Sequence, residues 1–400
     1  MGLHLNARGT EIAMSNNQLA LTCVALVGRQ DEPTDGVRDY CELLAQAFAR
    51  RGMPLDILAL RWEIFGWSKA LVALGKTSRK WNGQVVLLQY TALMWSRRGF
   101  PVGALAVLAI LKMRGVRLCA VFHDAGYARA SGALQRLRVG FQNFTIRTMF
   151  RAAEFPVLTV PASQLDWLPR RSHRAVFIPV GANFPPASLR RRESLPEIPA
   201  VAVFGVTGGA HIEVEAEAIA YIISRAAAAI AGLRLNVFGR GALEAETALR
   251  RRLSGENAEI TVEGVLAADE VRERLCRADV LLFVRGQVSS RRGSAIAGIA
   301  CGLPVAGYRG PETAAPITEA GVMLVENGNR DELAEALLRM LSDAKLYREL
   351  CQRSAVVAER EFSWDAIASK FAEAFSAGGR QSGLDSHYSS RAGRTEDVLK

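Results

Sequence analysis

At 400 residues, half of them apolar, the chain exceeds what one ordinary core holds and carries enough apolar side chains for two. Its formal charge of +10 is uneven: residues 1–193 hold 26 Lys and Arg against 12 Asp and Glu, and the remainder holds 24 against 28. The basic half serves solubility, or attraction to an anionic membrane surface or an acidic glycan, and no nucleic acid is expected as a partner. Six scattered cysteines (Cys23, Cys41, Cys119, Cys276, Cys301, Cys351) form no C-x-x-C and no metal-ligand spacing. They read as small buried hydrophobes in a reducing compartment.

No secretory signal opens the chain, and Met1-Gly2-Leu3-His4-Leu5-Asn6 lacks the Ser or Thr that N-myristoylation requires. Met14 offers a second start, and residues 1–17 are expected to form a flexible tail. A strand over Leu19–Val27 ends at Gly28, and a helix from about Gly36 to Arg51 follows. Further apolar runs at Leu55–Leu60, Val85–Gln89, Val116–Phe122, Val157–Val160 and Ala175–Val180 complete a first unit, residues 18–183. Within it the longest apolar run, Val102 to Leu111, is stopped by Lys112 and Arg114, too short to span a bilayer. That stretch either packs on a sheet or, rimmed by Arg97, Arg98, Lys112, Arg114 and Arg117, lies at an anionic headgroup surface. A cytoplasmic protein is expected, with a peripheral place on the inner membrane face under the second alternative. Residues 184–199, rich in Pro and charge, read as a linker.

The second unit, residues 200–362, alternates more cleanly. Strands are predicted at Val201–Phe204, Leu233–Phe238, Ile260–Val262, Val280–Val284, Val305–Tyr308 and Val322–Val325, with helices between them, notably Glu213–Ile230 and Glu332–Leu341. Such alternation predicts an α/β protein with parallel, doubly covered sheets, here two Rossmann-like domains facing each other across a cleft at their strand carboxyl ends. Residues 377–400, rich in Gly, Ser and Arg, are expected to be disordered.

Three loops after strands of the second unit have the chemistry of an anion site. Gly205, Thr207, Gly208 and Gly209 follow the first strand, and Gly239 and Arg240 follow the second. Glycines there let backbone N–H groups approach a phosphate, or simply make tight turns. The third loop, Arg285 to Ser294, contains Ser289, Ser290, Arg291, Arg292 and Gly293 and leads into an apolar helix. Arginine forks and a helix amino terminus grip phosphate oxygens.

The same ordered set, with Gly264, Ala300-Cys301-Gly302-Leu303-Pro304-Val305, Gly321-Val322-Met323-Leu324-Val325 and Phe362-Ser363-Trp364, resembles the donor-binding half of the GT-B glycosyltransferases of family four (glycosyl transferases group 1). The resemblance covers about residues 200–375 and implies a GT-B fold, with a nucleotide-sugar donor on the second domain and a last helix (363–376) crossing back to the first. It implies retention of anomeric configuration. No Asp-x-Asp motif is present, in keeping with metal-independent transfer, and no cofactor is expected. The donor loop diverges. Where family members carry two glutamates eight positions apart, this chain has Ser289 and Ala297, and the Arg and Lys that usually follow the first strand are missing. Arg285, Arg291 or Arg292 can restore the positive charge, and Glu312 can replace a ribose contact.

In the first unit, Asp35-Gly36-Val37-Arg38-Asp39-Tyr40 resembles the family's loop facing the reacting sugar and acceptor, which places Asp35, Gly36 and Tyr40 on the acceptor side. Gln89 and Tyr90, at another strand end, are assigned there too. His123 stands where the family keeps a histidine on the transferred sugar, and with Asp124 it is the catalytic candidate. The expected partners are a nucleotide-diphosphate sugar and a glycan or lipid-linked acceptor. Two alternatives stay open: a catalytically impaired GT-B binding or scaffold protein, which the missing glutamates favour, and another sugar-nucleotide enzyme on the same fold. A phosphorylase would need a lysine for pyridoxal phosphate, and the core loops contain none.

Overall fold

The computed structural model describes residues 22–29, 35–124, 126, 132–168, 174–184 and 194–377. The start at Met14, the tail 1–17, linker positions 185–193 and residues 378–400 lie outside them. In the first domain the elements run β1 (Cys23–Val27), α1 (Gly36–Arg50), β2 (Leu55–Ala59), α2 (Trp62–Phe65), α3 (Trp67–Thr77), β3 (Val85–Tyr90), α4 (Val102–Met113), β4 (Arg117–Phe122), α5 (Ala133–Ala152), β5 (Phe155–Leu158) and β6 (Val176–Phe177). The second domain continues with β7 (Ala200–Phe204), α6 (Ile212–Ala227), β8 (Leu233–Phe238), α7 (Ala242–Arg252), β9 (Ala258–Glu263), α8 (Ala268–Arg277), β10 (Val280–Gln287), α9 (Gly293–Ala300), β11 (Val305–Tyr308), β12 (Val322–Val325), α10 (Arg330–Ser342) and α11 (Ala344–Val357). A final helix, α12, spans 364–377.

Each domain holds a six-stranded parallel sheet, ordered β2-β1-β3-β4-β5-β6 and β12-β11-β10-β7-β8-β9. Because helices cover both faces, the central strands are buried along their whole length: every residue of β1 and β3 is buried, and all but Gln89 and Tyr90 are aliphatic or Cys. The strand order reverses between β1 and β3 in one sheet and between β7 and β10 in the other. A reversal leaves a crevice at the strand carboxyl ends, where ligands bind in open α/β sheets.

The sheet positions follow the predicted runs, with one consequential difference. Strand β10 continues through Arg285-Gly286-Gln287 instead of ending at Val284. A register shift between Phe283 and Gln287, with Gly286 at φ +72°, lets Gln287 pair with Tyr308. Arg285 is thereby fixed on a strand rather than carried on a loop.

Helix α12 lies on the first domain. Phe371 and Phe375 pack edge-on to Phe48 (centroids 5.7 and 6.4 Å), Phe375 meets Phe155 at 5.1 Å, and Arg50 pairs with Asp365 at 2.8 Å. Trp364 Nε1 donates to the Ala182 carbonyl (2.9 Å) over Gly181, where a Cβ would stand 2.8 Å from the indole. Helix α4 buries Ala104, Val107, Leu108 and Leu111, and Trp67 covers Gly103, so the Val102–Leu111 stretch is one of the helices covering the sheet. Among the described residues no helix is long and apolar enough to cross a membrane. None of the six cysteines forms a disulfide, and burial pushes the Cys23 thiol up to about 12.

Candidate functional site

The crevice of the second domain is a cavity of about 680 Å³, enough for a nucleotide. Gly205, Gly239, Arg240, Arg285, Arg291, Arg292, Gly293 and Ser294 line it, with Phe204, Phe283, Val265, Leu266 and Val271 as an apolar wall. Helix α1 faces them from the first domain with Asp39, Glu42 and Gln46.

The glycines work differently from a backbone phosphate cradle. The Gly205 N–H donates to the Phe238 carbonyl (2.7 Å), Val206 N–H to Arg240 (2.9 Å) and Gly239 N–H to Gly264 (2.9 Å). Thr207 N–H is taken by the Glu215 carboxylate at 2.7 Å. Gly205 instead makes room: a Cβ there, at φ +81°, would stand 2.7 Å from Arg285 Nη1. Thr207, Gly208 and Gly209 fall outside the cavity walls, and Gly264 shapes the turn beneath Leu243.

The positive charge is supplied by arginines. Arg285 Nε and Arg292 Nε are buried with no hydrogen-bond partner among the described residues. Burial pulls both guanidinium groups below the ordinary arginine value. Arg240 adds to this at Arg285 while Glu215 opposes it, and Arg291 and Arg285 repel Arg292. Cations held close together and incompletely paired make a prepared site for a polyanion. The start of α9 adds to this: Ala295 and Ile296 N–H donate to the Arg292 carbonyl, and the positive end of the helix dipole lies at Gly293 and Ser294, which line the cavity.

Arg291 differs from its neighbours. Its Nε and Nη2 bond the Glu312 carboxylate at 2.6 and 2.7 Å. Glu312 also accepts from Ser289 Oγ (3.3 Å), and its backbone N–H donates to Gln287 Oε1 (2.7 Å). Burial alone would raise the Glu312 pKa, but the Arg291 bond holds it below the usual carboxylate range. Glu312 lines neither this cavity nor the one beside it and supports Arg291. Ser290 is buried and turned to the first domain: its Oγ donates to the Thr159 carbonyl (2.7 Å), and its own carbonyl accepts from Val180 N–H (3.1 Å). That pair fastens the 285–294 segment to the first domain.

A second cavity, of about 400 Å³, opens in the first domain and shares Gly36, Asn183, Arg291 and Gly293 with the first. His123, Asp124, Asp35, Tyr40, Arg29, Thr91, Leu93 and Met94 line it. Asp35 caps α1, accepting from Val37 and Arg38 N–H (2.9 and 3.1 Å). Asp124 accepts from Ala92 N–H (2.8 Å). Tyr40, buried, packs edge-on against both His123 and Trp364, with ring centroids 5.3 Å apart in each pair. Burial, with Arg291 nearby, lowers the His123 pKa to about 4, so the ring is neutral at pH 7.

Gln89 and Tyr90 point to opposite faces of β3, as successive strand residues must. Gln89 bonds His123, and Tyr90 is in the core against Phe122 (5.9 Å), which removes it from the acceptor side. Asn183, at the junction of the two cavities, escaped notice in the sequence; its only signal is a polar side chain between apolar Ala182 and Phe184. No three His, Cys, Asp or Glu side chains converge as metal ligands among the described residues.

Residues 202–343 match the family model described as Glycosyl transferases group 1. No curated protein matches the chain significantly. Among solved structures, sucrose-phosphate synthase from Thermosynechococcus elongatus is 17% identical, with a TM-score of 0.66 over 89% of this chain and 98% of that one. A glycosyltransferase from Rickettsia africae is 13% identical (TM-score 0.64, 90% and 99%). Anabaena HepE, solved with UDP and glucose, is also 13% identical (TM-score 0.58, 89% and 100%). At these identities the likeness establishes a shared fold, the facing two-domain arrangement of GT-B proteins.

Proposed function

We propose that this GT-B chain, whose residues 202–343 form a group 1 glycosyl transferase domain, transfers a sugar from a nucleotide-diphosphate donor to a hydroxyl acceptor with retention and without a metal. The observation that carries the proposal is the arginine cluster. Arg285, Arg292 and Arg240 converge at the reversal between β7 and β10, while Arg291 reaches from that cavity into the one containing His123. A nucleoside diphosphate laid against the arginines would direct its sugar toward His123. As the sugar–phosphate bond breaks, negative charge grows on the departing diphosphate. Arginines and the α9 dipole stabilise that charge in a site closed by the facing domain, the task a metal performs elsewhere. HepE has been solved with UDP, which makes UDP the first donor base to try.

Helix α5 supports a lipid-linked acceptor at an anionic membrane surface. It contains Arg136, Arg138, Arg147 and Arg151 and no acidic residue, and it exposes Leu134, Leu137 and Phe144 along one stripe. An apolar stripe flanked by arginines suits a headgroup interface better than α4, whose apolar face is spent on the sheet.

Calorimetry with UDP, GDP and ADP, followed by hydrolysis and transfer assays with the matching sugar nucleotides, tests the enzyme. Diphosphate binding without any turnover would favour the binding-protein alternative; no binding to any of the three would overturn the proposal. Sedimentation with anionic vesicles at low salt tests the surface, and Leu137→Ser with Phe144→Ser should reduce pelleting. A protein that stays in the supernatant has no such surface.

A further inference from the structure

Gln89 is fully buried at the end of a strand whose other members include Val85, Val86, Leu87 and Leu88, all buried. Its backbone carbonyl accepts from Trp95 Nε1 (2.9 Å), and its side-chain Oε1 lies 2.7 Å from His123 Nε2. Its Nε2 is buried with no partner among the described residues. A buried, half-satisfied carboxamide destabilises a sheet by about 1–3 kcal/mol, and an apolar side chain would pack there without that cost. The side chain's one bond goes to His123. The register explains how: Gln89 lies opposite Val121, and His123, two residues on, faces the same side of the sheet, with its backbone N–H on the Tyr90 carbonyl (3.0 Å).

We infer that Gln89 is a positioning residue that fixes His123 as the Nε2–H tautomer and leaves its Nδ1 lone pair to accept a hydroxyl hydrogen in the cavity. The use of that lone pair rests on the glycosyl-transfer proposal; the tautomer itself does not. A carbonyl oxygen can only accept, so the shared hydrogen belongs to His123 Nε2, and a neutral ring then has a bare Nδ1. The groups around the ring are Tyr40 at its edge, Arg291 across the domain junction, and Arg29, Asp124 and Asp35 in the same cavity. Burial and Arg291 keep the ring neutral, in accord with a carbonyl partner rather than a carboxylate. Neutrality suits the reaction, because positive charge develops on a sugar as its glycosidic bond breaks, and an imidazolium there would oppose it. A lone pair aimed at a hydroxyl orients the sugar without adding charge.

Long-range proton–nitrogen NMR of the full chain, with His123 assigned by loss of its signals in His123→Asn, reads the tautomer directly. We expect protonated Nε2 and bare Nδ1 from pH 5.5 to 8 in the wild type. In Gln89→Leu both tautomers should appear and kcat should fall about tenfold, the loss of one hydrogen bond's worth of orientation, with donor KM within about twofold. Gln89→Glu should stabilise the imidazolium and raise its titration midpoint above that of the wild type. A wild-type Nδ1–H tautomer, as the reversed amide would give, or an imidazolium at neutral pH overturns the inference. So does a Gln89→Leu protein with unchanged tautomer and kcat. If the Leu variant does not fold, the wild-type spectrum and Gln89→Glu still decide. A bare Nδ1 in a protein that transfers no sugar would sink the proposed function and leave the Gln89 assignment standing.

Discussion

Arg285 and Arg292 line the larger cavity with buried Nε groups that have no partner among the described residues, whereas Arg291 gives two N–H groups to Glu312. Their substitutions should therefore separate. Arg285→Ala or Arg292→Ala should each weaken UDP binding about 10- to 100-fold, the worth of a charge-assisted hydrogen bond, while leaving thermal stability unchanged or raised. Arg291→Ala should instead destabilise the protein by about 1–3 kcal/mol in urea, because it strands a buried carboxylate. Equal binding losses with equal destabilisation in all three would refute the division. The His123 ring gives a second test. Its folded pKa of about 4 lies below the ordinary 6.5, so between those values the unfolded chain binds more protons than the folded one. This part of the stability is full above pH 6.5, declines as pH falls through the window, and levels off below pH 4. By then the loss reaches about 3 kcal/mol. His123→Asn should lack that share of acid sensitivity, which paired urea titrations at pH 7 and 4.5 would reveal.

Gly205 sits at the turn out of β7, and its use is to leave space for a guanidinium. Gly205→Ala should therefore displace Arg285 and cost as much diphosphate affinity as Arg285→Ala, and the double variant should be no worse than either single one. Additive losses, measured calorimetrically, would restore a direct role for the glycine backbone. That role is what the sequence suggests, and the reason it misleads is physical: the destination of the Gly205 N–H is Phe238, on a neighbouring strand 33 residues away. Strands such as Val280–Val284 and Val305–Tyr308 were legible because a sheet covered on both faces demands unbroken apolar runs. The loops after them were legible as candidate sites because strand carboxyl ends are where ligands bind. The partnership of Arg291 with Glu312 was not, since it joins two loops that only the fold brings together. The same holds for Ser290, whose hydroxyl crosses to Thr159, and for the extra strand length through Gln287, which depends on pairing with Tyr308.

At the scale of the whole molecule, the two sheets present their reversal points to each other, and the 285–294 segment is fastened to the first domain through Ser290. Any domain motion that separates Ser290 from Thr159 would break that buried bond, so cavity opening and loop geometry are mechanically joined. The first domain also borrows its last helix from the far end of the chain, and this has a consequence for biosynthesis. Phe48 and Phe155 are covered by Phe371 and Phe375, and Ala182 is bonded by Trp364. A ribosome adding roughly 5–20 residues per second needs about 10–40 s to travel from residue 183 to residue 377. During that interval the nascent first domain exposes an aromatic strip that nothing yet covers. A fragment ending at residue 183 should accordingly bind a hydrophobic dye and be captured by chaperones. A peptide of residues 363–377 supplied in trans should suppress both, whereas the same peptide with Phe371 and Phe375 replaced by Ser should not. If the fragment proves monomeric and dye-silent without the peptide, the early domain closes its core unaided. Otherwise the molecule's birth order is written into it: the half that is made first waits for residues 363–377 before it can finish folding.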